Sequence, residues 1–206
     1  MNNLKNKKIA VLVETEFIPS EIAYYKEYFS SLGAQVDLIS YLWGQPSKLF
    51  MCDIDSADKT IKDIQTIEVN IDVTQVDVND YCAVLMAANY CAVRLREILP
   101  MGGFGSVEEI PTPPAVKFFA EAMQNKNIVK GALCHALWIL TPNPDLLKGR
   151  SVTCHTVVLA DVHNAGAIYV PEYVYVDDDL VTGRSAANVK EYCDAIANTI
   201  NKININ

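Results

Sequence analysis

A repeated alternation constrains the fold more than any other feature. Short β-branched apolar runs, too brief for helices, are separated by stretches whose apolar residues recur at helical spacing. "KKIAVLV" reads as a fully buried strand, and "PSEIAYYKEYFSSLG" after it as a helix. Pro19 suits a first helical position, Gly33 a stop, and Ile22, Tyr25 and Phe29 share one face. "AQVDLIS", "TIEVNI" and "YCAVLMAAN" predict further strands, with a less regular stretch over 41–60 between the first two. A helix from Tyr90 to Leu99 leads into a Gly/Pro loop, "PMGGFGSVEEIPTPP" (100–114), longer than most connections. "AVKFFAEAMQN" predicts a helix, "NIVKGALC" a strand and "HALWIL" the start of a helix. A strand with a short helix, a hairpin at "YVYVDDDLVTG" and a terminal helix close the chain. Buried strands alternating with amphipathic helices predict a three-layer α/β sandwich with a mostly parallel central sheet. The 206 residues show no repeat, low-complexity tract or linker, so one domain over 1–206 is expected.

Charge narrows the partners. The formal net charge is -8, with no Lys/Arg cluster. Nucleic acid and anionic membrane, whose binding draws on cations, are therefore excluded as expected partners. The apolar stretch "IAVLV" behind the basic N-terminus is too short for a signal peptide or a span, which points to the cytoplasm. There the six cysteines, none in CxxC spacing, would stay reduced. Cys134-His135 and Cys154-His155 invite a zinc reading, but adjacent residues rarely both ligate one ion, so no metal is expected. No dinucleotide or phosphate loop is present, "GGFG" being only a flexible turn, and no cofactor is implied. Arg94 and Arg96 read as a solvated helix face or as attractors for an anionic substrate, and "DDDL" (177–180) as a hairpin turn.

In open α/β sheets, ligands sit outside the carboxyl ends of the strands. In "NIVKGALCHALWIL" an apolar strand ends directly in Cys134 and His135. Gly131 permits close packing, and Ala132 and Ala136 keep the bend small. This is the anatomy of a nucleophile elbow, a strained strand-to-helix turn holding one side chain out of the core. A helix N-terminus behind the thiol would favour thiolate and could bind an oxyanion. The competing reading is a buried cysteine at a strand end.

"KGALCHALWILTPNPDLLKGRSVTCH" resembles the core of the ThiJ/PfpI superfamily, and the likeness continues through "LADVHNAGAIYV", "YVYVDDDLVTGRS" and the front strand–helix–strand. The resemblance implies a flavodoxin-like fold of the class I glutamine amidotransferase type, with the 100–114 loop as an insertion. It implies a cysteine-dependent hydrolase or lyase of a small carbonyl or amide substrate, glyoxalase-, deglycase-, amidase- or peptidase-like. A redox-sensing or chaperone-like stress protein and a non-catalytic amidotransferase-like protein are the alternatives. Position by position, Cys134 matches the nucleophile, and Glu21 a carboxylate pointing at the sulfur, with Glu14 and Glu16 competing. His135 matches the base of the peptidase-like branch and His155 that of the glyoxalase-like branch, and both stay open. His163 is expected at a surface or an interface.

"MAAN" replaces the usual Pro-Gly-Gly, leaving the amides of Ala88 and His135 as oxyanion donors, with Asn89 and Arg184 as substrate-binding residues. Ala92 stands where the peptidase-like branch has an acid, which Glu97, Glu108 or Glu109 could replace only by another loop path. The resemblance also implies a homodimer or larger homo-oligomer.

Overall fold

The computed structural model describes residues 3–52, 64–97 and 111–203. Five helices, α1 (Pro19–Ser31), α2 (Cys91–Leu95), α3 (Pro114–Gln124), α4 (Leu159–Asn164) and α5 (Val189–Ile203), accompany the strands among these residues. The central sheet is built from β1 (Lys8–Leu12), β2 (Gln35–Ile39), β5 (Ala83–Met86), β6 (Val129–Leu133), β9 (Val174–Asp177) and β10 (Leu180–Gly183). Their order is β2-β1-β5-β6-β10-β9. All neighbours are parallel except β9, which returns antiparallel to β10. This is the mostly parallel α/β sandwich that the alternation predicts. Two small pairs stand apart: β3 (Lys48–Met51) with β4 (Thr66–Val69), and β7 (Ser151–Val152) with β8 (Ile168–Tyr169).

The sheet's interior explains the apolar runs. Every residue of β5, β6 and β10 is buried, including the polar ones. Helix α1 starts at Pro19 and buries Ile22, Tyr25 and Phe29 as its spacing predicts, but it also buries Glu21. Gly33, at φ +89°, turns the chain out of the helix into β2. Helix α5 packs against β6, β10 and α1, while α2 and α3 pack against the turn after β6. Gly131 on β6 makes the first of these contacts possible. A Cβ there would lie 2.2 Å from the Tyr192 hydroxyl and 2.5 Å from Leu85 Cδ2.

Three expectations change. Strand β3 lies inside the stretch read as irregular, where its short length and neighbouring Pro46 hide a period-two signal. The helix predicted from Tyr90 is only Cys91–Leu95. "HALWIL" forms a 3-10 helix over Ala136–Leu140, closed by the Pro142 and Pro144 turn, and not the α-helix expected. Most of the 100–114 insertion, with Glu108 and Glu109, lies outside the described residues, as does Leu99. The 177–180 turn is the predicted hairpin, with Asp178 at φ +56°. No helix among the described residues is long and apolar enough to cross a membrane.

Candidate active site

Cys134 follows the last residue of β6 and has φ +62°, a left-handed conformation that costs a non-glycine residue about 1–2 kcal/mol. The backbone is held there from both sides. Cys134 N–H donates to the Gly183 carbonyl at 2.8 Å, and His155 N–H donates to the Cys134 carbonyl at 3.1 Å. The strained backbone of the expected elbow is present, but Cys134 packs within the core and is not held out of it.

Cys134 is buried, with 8% of the residue exposed. Main-chain N–H groups of Asn89, His135 and Ala186 point at the sulfur, and Glu21 is its charged neighbour. Burial, reinforced by the Glu21 charge, pushes the thiol up to about 11 despite those donors. The expectation of a thiolate favoured by the helix behind the elbow is therefore corrected. A five-residue 3-10 helix has little dipole, and desolvation wins. The helical N–H that reaches the sulfur belongs instead to the 3-10 turn Ala186–Asn188, which runs into α5 and is capped by Ser185. Ser185 before a helical stretch was the available signal for this donor.

Glu21 is 1% exposed, with no cation among the described residues against it. Its Oε1 accepts from the Tyr25 hydroxyl at 2.7 Å, one turn along α1, and from Ala88 N–H at 2.9 Å. Burial outweighs both bonds and raises the carboxyl to about 7. The Glu21 charge thus opposes ionisation of Cys134, and the carboxyl itself can exchange a proton near neutral pH. The Ala88 assignment is corrected by the same bonds: its N–H is committed to Glu21, and Asn89 supplies the amide at the sulfur.

The two imidazoles meet each other, not the thiol. His135 Nε2 lies 3.2 Å from His155 Nδ1. His155 Nδ1 also accepts from Val157 N–H at 3.3 Å. Its lone pair being so placed, the shared hydrogen sits on His135 Nε2. His135 Nδ1 is then a buried acceptor without a partner among the described residues. The ring stacks against Tyr90 and Trp138, with centroids 5.3 and 5.2 Å away. Burial, with His155 beside it, lowers His135 to about 4. Neither imidazole is hydrogen-bonded to the Cys134 sulfur.

The remaining candidates fall around this centre. Glu14 binds Thr15 N–H and faces Lys48, and Glu16 pairs with Arg94, so neither competes with Glu21 at the sulfur. The Asn89 side chain donates to the Glu16 carbonyl at 2.9 Å and is spent on structure, not left for a substrate. Arg184 is half-buried and follows Gly183, the elbow's acceptor; its guanidinium makes no hydrogen bond or ion pair with the described residues. Arg96 donates to Thr141 Oγ1, which ties α2 to the turn after the elbow. His163 is exposed on α4, and Glu97 is exposed after α2. Cys154 is buried beside Cys134 and raised to about 12, mainly by that burial. No group of three or more metal-ligating side chains assembles among the described residues. An open cavity of about 400 Å³, bounded by Glu14, Thr15, Trp43, Lys48 and Arg94, lies where the chain leaves β1, β2 and α2.

The family model described as DJ-1/PfpI family matches residues 7–199. The chain belongs to the DJ-1/PfpI family. Among its relatives, an uncharacterized protein of Staphylococcus haemolyticus is 25% identical over 186 residues, covering 90% of this chain and 93% of that one. One of Staphylococcus aureus strain Mu50 is 26% identical, covering 90% and 94%. A ThiJ/PfpI domain protein from Brachyspira murdochii superposes with a TM-score of 0.75 at 15% identity, over 96% of this chain and 98% of that one. DJ-1beta of Drosophila melanogaster gives 0.71 at 15%, over 96% and 95%. A two-domain protein from Anabaena variabilis, with DJ-1/ThiJ/PfpI-like and ferritin-like domains, gives 0.76 at 21%. That match covers 95% of this DJ-1/PfpI chain and 48% of the Anabaena protein. The structural likenesses establish the fold, and the names of the staphylococcal relatives carry no activity.

Proposed function

We propose that this DJ-1/PfpI protein is a cysteine-dependent lyase or hydrolase of small carbonyl compounds, with Cys134 as nucleophile and Glu21 as proton carrier. The observation that carries the reading is the pairing of a strained, amide-surrounded sulfur with a buried carboxyl raised to about 7. A group titrating there can take and return a proton at neutral pH. As the sulfur adds to a carbonyl carbon, the thiol proton passes to Glu21 and the C=O electron pair moves onto oxygen. The Asn89, His135 and Ala186 amides are the donors nearest that charge.

The lack of a thiol–imidazole hydrogen bond favours aldehyde addition over a Cys-His amidase or peptidase mechanism. In this reading the His135–His155 pair shapes one wall of the site, and Arg184, whose guanidinium has no hydrogen bond or ion pair with the described residues, would meet an anionic substrate group. The raised thiol also counts against a peroxide sensor, which works through thiolate. Cytoplasmic action as a homodimer or larger assembly belongs to the same proposal.

The test is turnover of methylglyoxal, glutamine and a fluorogenic peptide by the parent protein, Cys134→Ala and Glu21→Gln. Expected is aldehyde turnover alone, absent in Cys134→Ala and reduced about 10²-fold or more in Glu21→Gln. Turnover that survives Cys134→Ala, or no aldehyde consumption by the parent, would overturn the proposal.

A further inference from the structure

Six non-glycine residues among those described have positive φ, and three of them, Glu16 (+72°), Asn89 (+61°) and Cys134 (+62°), form one connected chain of contacts. Arg94 Nε on α2 donates to Glu16 Oε2 at 3.0 Å. The Glu16 carbonyl accepts from Asn89 Nδ2 at 2.9 Å. The Asn89 main-chain N–H then points at the Cys134 sulfur. Glu16 is itself fixed on its other side, where its N–H donates to the Met51 carbonyl of β3 at 2.8 Å. Cys91, at the start of α2, donates its S–H to the Glu14 carbonyl at 3.2 Å.

Such strain persists only where surrounding bonds over-determine the conformation, and it concentrates where geometry is put to use. At Asn89 the use is visible. A left-handed residue turns its N–H away from the direction it would take in a continued strand. Without the side-chain clamp onto Glu16, the peptide before Asn89 is free to relax and withdraw that N–H. Neither Arg94 nor Glu16 is hydrogen-bonded to the sulfur or to Glu21 among the described residues, and Asn89 links them to the sulfur.

We infer that Arg94 and Glu16 are positioning residues, a brace that holds Asn89 in a left-handed turn so that its main-chain N–H stays on the reacting sulfur. The inference rests on the reading of Cys134 as nucleophile and deepens it. The acidic and thiol neighbours of the sulfur, Glu21 on α1 and Cys154 after β7, share no hydrogen bond or ion pair with Arg94 or Glu16 among the described residues.

The readout is the rate of iodoacetamide alkylation of Cys134 against pH, followed by peptide mass spectrometry, alongside kcat and KM for methylglyoxal. Arg94 is about half exposed, so Arg94→Met leaves the core intact. Loss of one N–H donor to a charged sulfur corresponds to about a tenfold lower thiolate fraction. Asn89→Ala should therefore alkylate about tenfold more slowly at pH 8 and lose kcat with KM little changed. Arg94→Met and Glu16→Ala should slow it about threefold, and Glu16→Gln, which still accepts from Arg94, should fall between Glu16→Ala and the parent. A reactive parent whose profile superimposes on those of Arg94→Met and Asn89→Ala would sink the brace alone. A parent whose Cys134 does not react would sink the nucleophile reading with it. Thermal melts establish that each variant is folded, and Arg94→Met carries the test if Asn89→Ala is not.

Discussion

Strand β6 bears an ionisable group at each end, and the two ends treat charge in opposite ways. Toward its start, Lys130 is fully buried, but its ammonium meets Asp179 and the Asn125 carbonyl. Asp179 is shared with Arg150, which also binds Asp177. Each cation there has an anion. Past the other end, Cys134 and Glu21 are buried with amide and hydroxyl donors but with no cation among the described residues. Paired charges at one end hold the strand in place. Burial lowers Lys130 as well, but Asp179 opposes that shift. At the other end no cation among the described residues opposes it, and Glu21 is left titrating near neutral pH. Burial alone therefore does not mark a reactive group; burial without a counter-charge does.

Breaking the paired end should have the largest effect. Lys130→Met leaves a buried carboxylate with half its compensation and should cost about 3–5 kcal/mol in urea unfolding. A loss below about 1 kcal/mol, as for an exposed pair, would erase the contrast between the ends. Neutralising the unpaired end should do the reverse. Glu21 titrates near 7 in the fold and at its ordinary 4.5 when unfolded, so the folded state holds the extra proton between those values. Glu21 by itself lowers stability by about 3 kcal/mol as pH rises from 4.5 to 7. His135, lowered to about 4 in the fold, raises it by a comparable amount between 4 and its ordinary 6.5, so the two largely offset each other in the parent. Glu21→Gln should therefore uncover the His135 contribution, a stability that rises between pH 4 and 6.5, and should be the more stable protein at pH 8.5, although less active. A Glu21→Gln variant whose pH dependence runs parallel to the parent's across that window would show that Glu21 is compensated after all.

The middle of the strand sharpens the comparison through packing alone. Gly131→Ala drives a methyl into the Tyr192 hydroxyl and Leu85 and should cost about 1–3 kcal/mol at every pH. A pH-dependent cost would mean that the methyl disturbs the Glu21 region as well. Smallest is the strain at the elbow. Cys134→Gly should be about 1 kcal/mol more stable than Cys134→Ala, because only glycine takes φ +62° freely. Equal stabilities would mean that the elbow relaxes once the sulfur is gone.

Much of this was legible in the chain. Pro19, Gly33 and the Ile22–Tyr25–Phe29 face fixed α1, and the β-branched runs located the strands of the central sheet, because both signals are local. "GALCHA" gave the strained turn of the elbow, since small residues leave room for a tight bend. The four-residue β3 escaped notice because so short a run has almost no periodicity to read. "HALWIL" misled because its apolar pattern fits either kind of helix, and the prolines beyond it decide how far it can wind.

The site's electrostatics belong to the tertiary structure. Sequence placed Cys134, Glu21, His135 and His155 as candidates, but their spacing along the chain says nothing about which polar groups water still reaches. Only the packed molecule turns the imidazoles toward each other, commits the Ala88 amide to Glu21 and brings Ala186 N–H to the sulfur. Patterns of apolar residues determine what is buried, because burial follows local periodicity. Which buried charge finds a partner depends on contacts between residues far apart in sequence, and that pairing sets where the protons go.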